Sequence, residues 1–286
     1  MLTFKTLRMI LGISVSTMCL YACQNMGEEE NPTENLIRLT GNITPSSRVT
    51  DLDLQSVKFV SGQLVGVTIA NAQNKHENVS WVADVNGYLN NMGEEVSWGT
   101  GEITIYAYHP YNTSMSADFP FTVSTDQSTT KGYLESDLLW TKKTTAKTIA
   151  PVALSFVHKL SKLAIKLQSN DAEDLSGATI SVCGTHINTL FNPLTGELTP
   201  VSEKNVNDIK ASVTTAAALQ ASCIIIPQTV ASGTAFIKVE HEGKTYQYKL
   251  SESATFEEGK SYIFTLTINK ENPGDVGAVA PDMPWS

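Results

Sequence analysis

Cysteine is scarce in this chain, with four residues in 286. Cys19 and Cys23 fall near the N-terminus, so only Cys183 and Cys223 remain for the folded part. This number excludes a disulfide-stapled scaffold, and the absence of a neighbouring Cys or His cluster disfavours a zinc site. The two thiols either form one disulfide in an oxidising compartment or stay buried as small apolar groups.

Recognisable catalytic and metal-binding motifs are also missing. The histidines stand singly, with none at the i, i+2 or i, i+4 spacing of a common metal site: His76, His109, His158, His186 and His241. Neither a Gly-x-Ser-x-Gly turn nor a phosphate-binding Gly-rich loop is present. We therefore predict that the chain is not an enzyme and binds no metal or cofactor.

Basic residues are outnumbered, with 20 Lys and Arg against 29 Asp and Glu and a formal net charge of −9. Lys5 and Arg8 lie in a segment that we expect to be removed, which increases the acidic excess from nine to eleven. Such a charge disfavours nucleic acid and anionic lipid as electrostatic partners. It is typical of an exported, well-solvated protein.

The only long apolar run follows the first basic residues, from position 9 to position 21. It is too short to span a bilayer of about 30 Å as a helix, so we predict that residues 1–22 are a signal peptide. Leu20-Tyr-Ala-Cys23 looks like a bacterial lipobox, which makes Cys23 the predicted lipid attachment site and the predicted membrane contact. The alternative is an ordinary signal peptide with a coincidental cysteine. Residues 23–34 are polar and acidic and predict a flexible tether.

Short stretches of alternating apolar and polar residues fill the rest of the chain, separated by Gly, Asn and Pro turns. This pattern favours antiparallel β-sandwiches over βαβ units. We predict an all-β protein with two tandem sandwich domains, at residues 35–148 and 149–270. Thr141–Lys147 is either the connection between them or a long hairpin loop, and no helix is predicted before Pro151.

The run from Pro151 to Gln168 changes its phase of alternation partway along. Leu154, Phe156, His158 and Leu160 share one parity, whereas Leu163, Ile165 and Leu167 share the other. Because a parity change indicates a bulge or corner, we predict one bent strand that opens the second domain. Phe156 and Ile165 are then expected in that domain's core, and His158 is expected to be a buried histidine bonded to backbone.

The same run carries a family resemblance through its F-x-H-x-L-S-K-L pattern from Phe156 to Leu163. There the chain resembles the fimbrillin-type pilins (type V pili) and related lipoproteins of Gram-negative anaerobes. Other stretches agree in order: Trp98, Ile105–Tyr111, Asp137–Trp140, Ile226–Gln228, Gly259–Tyr262 and Pro284-Trp285. The resemblance implies transthyretin-like sandwiches. It also implies a fimbrial subunit that is exported as a lipoprotein to the outer membrane, assembles with other subunits and supports adhesion.

The resemblance further implies maturation by a protease that cleaves after an arginine and removes the first strand. That strand is predicted at residues 35–44, where Ile37, Leu39 and Ile43 alternate with polar residues. Arg48 follows in a turn-rich segment and fits the cleavage better than Arg38, which lies within the strand. Removal would open a groove for a segment of another subunit, added by main-chain hydrogen bonding along the sheet edge.

The candidate replacement is the tail, residues 271–286, which contains Val276, Val279 and Trp285. Its prolines and glycines exclude it from the centre of a sheet in its own domain. The tail is therefore expected to be either a disordered end or an extended segment that becomes ordered on a partner.

An alternative function is a fimbrial anchor, a tip adhesin or a glycan-binding surface lipoprotein that does not polymerise. Trp98, Tyr106, Tyr108 and Tyr111 would then form a platform for sugar rings and contact a receptor on a host or bacterial surface. Ordinary packing of aromatic residues in a sandwich explains the same cluster.

Overall fold

The computed structural model describes residues 35–44, 57–71, 74–114, 117–170, 174–201, 205–215, 219–269 and 277–282. Within these ranges the regular secondary structure is β-strand apart from one short α-helix, which confirms the all-β prediction. Cys23, Arg48, Val276 and Trp285 lie outside the described residues.

The elements of the first half are β1 (Leu39–Ile43), β2 (Leu64–Ala70), β3 (Lys75–Ala83), β4 (Tyr88–Asn91), β5 (Ile103–His109), β6 (Phe119–Thr122), α1 (Thr130–Ser136), β7 (Leu139–Thr145) and β8 (Val152–His158). Those of the second half are β9 (Ser161–Ser169), β10 (Thr179–His186), β11 (Asn188–Phe191), β12 (Leu198–Thr199), β13 (Val206–Lys210), β14 (Ser212–Thr215), β15 (Leu219–Ile225), β16 (Gln228–Val230), β17 (Ala235–His241), β18 (Lys244–Lys249), β19 (Ala254–Phe256), β20 (Ser261–Ile268) and β21 (Gly277–Asp282).

Seven strands of the first half form a sheet that closes on itself as a barrel, in the order β1-β4-β3-β2-β5-β7-β8. Neighbours pair antiparallel, except that β1 and β8 run parallel. Alternate residues face the core, as in β5, where Ile103 and Ile105 are buried and Thr104 is partly exposed. The alternation in the sequence thus arises because one face of the sheet is buried.

The second half contains two larger sheets, β14-β15-β9-β20-β21 and β13-β10-β17-β18. Buried side chains from both, such as Ile165 and Phe264 from the first and Ile180 and Ile237 from the second, belong to one core cluster. Two small sheets, β16-β19 and β12-β11-β6, contribute buried residues such as Phe256 and Phe191 to the same cluster. This arrangement is a sandwich with a shared interior.

The run that predicted one bent strand is two strands in different sheets. β8 belongs to the barrel and β9 to the second half, with the crossing at Lys159 and Leu160. Phe156 therefore packs in the barrel core and only Ile165 in the second core, so the prediction for Phe156 was wrong. Parity changes here because each strand turns its apolar face to a different core, not because a single strand bends.

The two cores exchange segments of the sequence. β6 pairs with β11, and Phe119, Tyr133 and Leu138 of the first half share the buried cluster of Ile165. Conversely, β8 follows residue 149 but completes the barrel. The stretch Thr141–Lys147, predicted as a connection or loop, is largely strand β7, which pairs with β5.

Helix α1 was not predicted, because seven residues are too few to establish a helical period. Its N-cap is Thr129, whose Oγ1 accepts a hydrogen bond from the Gly132 N–H at 3.0 Å. Gly132 is needed for close approach, since a Cβ there would lie 2.0 Å from the carbonyl oxygen of Asp126. The helix packs Tyr133 and Leu134 into the second core.

Candidate functional site: the strand that closes the barrel

Strand β1 closes the barrel by pairing with a strand on each side. Leu39–Ile43 run parallel to Val152–Phe156 of β8, and Leu39 and Thr40 pair antiparallel with β4. No other strand in the described ranges joins β4 to β8. Without β1, these two strands would present unpaired main-chain groups at two open sheet edges.

The side chains of β1 fill the space that its backbone closes. Leu39 and Ile43 of β1 are 1% and 2% exposed, Ile37 just before the strand is 5% exposed, and all three belong to the barrel core. Burial of such side chains stabilises the fold by roughly 1.5 to 3 kcal/mol each. β1 is therefore bound to the barrel through both its backbone and its apolar face.

The lead-in to β1 continues the pairing along a third segment. Ile37 N–H donates to the Val96 carbonyl at 2.9 Å, and Trp98 N–H donates to the Asn35 carbonyl at 3.0 Å. Beside this segment lies a cleft of about 520 Å³, lined in part by Ile37, Leu39 and Trp81. The buried indole N–H of Trp81 has no hydrogen-bond partner among the described residues.

The residues on either side of segment 45–56 lie close together at the end of β1. Ile43 N–H donates to the Val57 carbonyl at 3.0 Å, and Thr44 N–H donates to the Phe156 carbonyl at 2.8 Å. Residues 45–56, which include Arg48, therefore connect two ends that are held together at the end of β1. After this segment the chain places Phe59 against Phe156, with ring centroids 4.9 Å apart.

The C-terminal strand β21 lies at the outer edge of the five-stranded sheet of the second half. It pairs antiparallel with β20, with Val279 opposite Thr265. Residues 277–282 thus pair with their own chain in this structure, and order on a partner stays a prediction. The edge position agrees with the exclusion of the tail from the centre of a sheet.

The four aromatic residues of the predicted glycan platform do not lie on one exposed surface. Trp98 is fully buried in the barrel core, and Tyr108 is 2% exposed and packs in the second core. The Tyr108 hydroxyl donates to Asn78 Oδ1 at 2.8 Å, and burial raises the pKa of Tyr108 to about 12. Only Tyr106 and Tyr111 are partly exposed, so the platform prediction fails for two of its four members.

Two histidines occupy specific polar positions. His158 is partly buried, and its Nδ1 lies 2.9 Å from Asp137 Oδ1, a carboxylate that the sequence did not predict as its partner. His109 is buried, and its Nδ1 donates to the Leu64 carbonyl at 2.7 Å. Desolvation lowers the pKa of His109 below its ordinary value. Sequence reasoning missed His109, although it shares the parity of the buried Ile103 and Ile105.

The described residues contain neither a disulfide nor a cluster of His, Cys, Asp or Glu suited to a metal ion. Cys183 and Cys223 are free thiols. Burial raises the pKa of both, that of Cys183 to about 12. In the part of the chain that the structure describes, no helix has the length and apolar character needed to cross a membrane.

Comparisons with known proteins agree with this architecture. A protein named as a fimbrium subunit, Fim1C, from Bacteroides uniformis is 24% identical over 278 residues, which cover 90% of this chain and 88% of its own. Two solved structures named as cell adhesion proteins share the fold. One, from Bacteroides ovatus, has a TM-score of 0.67 and 20% identity, and covers 88% of this chain and 98% of its own. The other, from Bacteroides uniformis, has a TM-score of 0.66 and 22% identity, and covers 90% of this chain and 100% of its own.

The profile of the fimbrillin-like family matches residues 47–281, which is well over half of the chain. This match confirms the resemblance seen in the sequence. The chain belongs to the fimbrillin-like family.

Proposed function

We propose that the chain is a structural subunit of a fimbria on the bacterial cell surface, where it contacts other fimbrial subunits and supports adhesion. Family membership and the names of its relatives, a fimbrium subunit and cell adhesion proteins, support this role. The lipobox-like sequence before Cys23 supports export as a lipoprotein to the outer membrane. A structural role requires no catalytic centre.

Assembly proceeds by exchange of strand β1 for a strand of another subunit. The observation that carries this proposal is that β1 alone joins β4 to β8 in the described part of the barrel. Its removal leaves two edges whose N–H and C=O groups are spaced for another strand. It also uncovers the apolar groove that Leu39 and Ile43 fill, so a replacement recovers hydrogen bonds and burial together.

Cleavage after Arg48 releases β1. Hydrogen bonds hold the residues on either side of segment 45–56: Ile43 N–H donates to the Val57 carbonyl, and Thr44 N–H donates to the Phe156 carbonyl. One cut within this segment therefore leaves the barrel strands in place. The family match begins at Ser47, which leaves β1 outside the matched region. By contrast, Arg38 is held within paired backbone, where its carbonyl accepts from Val152 N–H at 2.8 Å.

The C-terminal strand is the candidate donor. Among the described strands, β21 lies at a sheet edge and pairs with β20 alone. An edge strand detaches at less cost than a central one because it gives up one row of main-chain hydrogen bonds. Val276, Val279 and Trp285 would supply its apolar side chains.

The alternative is an anchor, tip or glycan-binding subunit that does not polymerise. Its aromatic platform is reduced to Tyr106 and Tyr111, since Trp98 and Tyr108 are buried. The structure of the β1 region favours strand exchange as the first hypothesis to test.

The test is an assembly assay, in cells that also make the other fimbrial subunits, on the chain and two arginine variants, Arg48→Ala and Arg38→Ala. We expect the wild type and Arg38→Ala to yield a mature N-terminus at Val49 and boiling-resistant ladders on gels. Arg48→Ala should remain uncleaved and monomeric. A chain that ends at Lys270 should be cleaved but unable to donate a strand.

Two results would contradict the proposal. Undiminished ladders from both Arg48→Ala and the chain ending at Lys270 would rule out strand exchange for this protein. A mature chain that retains acylated Cys23 would support the anchor alternative instead.

A further inference from the structure

The groove beneath β1 leaves little room for a side chain at Gly41. A Cβ atom on this residue would lie 3.0 Å from Cε2 and 3.2 Å from Cδ2 of Phe59, and 3.3 Å from Cδ1 of Leu89. These distances are shorter than ordinary van der Waals contacts, so a methyl group requires the neighbours to shift slightly and a larger side chain would overlap them. The limit comes from space, since Gly41 lies in a regular strand.

Phe59 has little room to move away. It is 5% exposed and packs edge to face on Phe156 at 4.9 Å and on His109 at 5.7 Å. It also follows Arg48 in the chain, so it remains with the barrel after cleavage there. The flanking positions of β1 hold large buried side chains, Leu39 and Ile43. A strand that fits this groove therefore has a small residue between two large apolar residues at alternate positions.

The tail of this chain lacks that pattern in either direction. Gly277 lies between Asp275 and Val279 at alternate positions, and Gly274 lies between Asn272 and Val276. At alternate positions, Ala278 lies between Val276 and Ala280, and Ala280 lies between Ala278 and Asp282. When the large residues Val279 and Met283 take the flanking positions, Pro281 falls between them. Proline is bulkier than alanine and lacks the N–H that Gly41 donates to the Gly87 carbonyl.

We infer that the β1 groove receives a strand from a different kind of subunit and excludes the tail of a second copy of this chain. This inference rests on the proposed strand exchange. The partner strand has glycine or alanine between two large apolar residues. The β1 groove then joins this chain to a different kind of subunit. The chain's own tail binds in a groove of another shape on another subunit.

A peptide-exchange experiment tests this inference on the chain from Gln24 to Ser286 after cleavage at Arg48. Fluorescent peptides are compared for displacement of the cleaved β1: residues 36–44, the same peptide with Gly41→Ala or Gly41→Val, and residues 271–286. We expect the native peptide to exchange, Gly41→Ala to bind slightly more weakly, and Gly41→Val to bind about tenfold more weakly or worse, as overpacking of a core predicts. The tail peptide should not compete.

A Phe59→Ala barrel is the matched control, because it should restore binding of the Gly41→Val peptide towards the native level. Competition by the tail peptide equal to that of the native peptide would overturn the inference but leave strand exchange intact. Failure of the native peptide to exchange would overturn strand exchange itself, and the inference with it.

A second measurement does not depend on cleavage. In the intact chain, Gly41→Val should lower the thermal midpoint, and the loss should shrink when Phe59→Ala is also present. An unchanged midpoint in Gly41→Val would show that the groove is not narrow at this position and would contradict the inference.

Discussion

Phe156 of β8 and Phe59 pack edge to face at the end of β1, with their ring centroids 4.9 Å apart. In the sequence Val57-Lys58-Phe59, Val57 is 42% exposed, whereas Phe59 is only 5% exposed. The contact fixes Phe156 in the barrel core, whereas Ile165 of β9 lies in the core of the second half. One short run of sequence thus supplies both hydrophobic cores.

Truncation of either side chain to alanine should therefore be costly. Phe156→Ala and Ile165→Ala each remove a fully buried side chain, and we expect a loss of about 2 to 5 kcal/mol in the free energy of unfolding. Urea titration of each variant measures the loss. A loss below about half a kcal/mol would contradict the burial of that residue.

The double variant tests the separation of the cores. Because the two residues contact different clusters, the effects of Phe156→Ala and Ile165→Ala should add to within about 0.5 kcal/mol if unfolding is two-state. Val157→Ala is the matched control, since Val157 is 41% exposed and should contribute little. A large coupling energy would show that the cores are not independent.

His109 should make stability depend on pH. Burial lowers its pKa, so the unfolded chain takes up a proton at a higher pH than the folded chain does. The neutral ring contributes its full stabilisation above about pH 6.5, the pKa of histidine in the unfolded chain. This stabilisation is lost as the pH falls towards the lowered pKa of His109 in the folded chain. Urea titrations between pH 5 and 8 should show a shallower decline for His109→Gln than for wild type. Equal slopes below pH 6.5 would contradict this expectation.

Cys183 and Cys223 should be unreactive in the folded protein. Their raised pKa values keep both thiols protonated at pH 8, and the thiolate is the reactive form. In a chain that begins at Gln24, we expect negligible alkylation by iodoacetamide until guanidinium is added, and then modification of both residues. Rapid labelling of the folded chain, or a mass change on reduction, would count against two protonated free thiols.

Cys23 should carry the lipid. Cys23→Ser is expected to abolish incorporation of a fatty-acid analogue and, with it, assembly on the cell surface, because diacylglycerol attaches to the sulfur atom. Cys183→Ser is the matched control: it has as many cysteines as Cys23→Ser but keeps Cys23, so it should incorporate the label normally. Persistent label on Cys23→Ser would show that the lipobox interpretation is wrong.

The strand content was predictable because one-sided burial imposes an alternation that is visible in single strands. Leu39, Ile103 and Ile165 are buried where that alternation places them. Helix α1 was missed, since its seven residues depend on a Thr129 cap and on the close packing of Gly132. The family was recognisable because its motifs occur in order along almost the whole chain.

By itself, the sequence determined the all-β class, the family and the apolar face of β1, since these depend on local periodicity and residue type. Only the tertiary structure decided that β8 belongs to the barrel, that Trp98 and Tyr108 are buried, and that β21 pairs with β20. A strand's alternation states which of its faces is apolar but not which sheet that face covers. That choice depends on contacts between residues distant in sequence, such as Phe59 with Phe156, which no local pattern encodes.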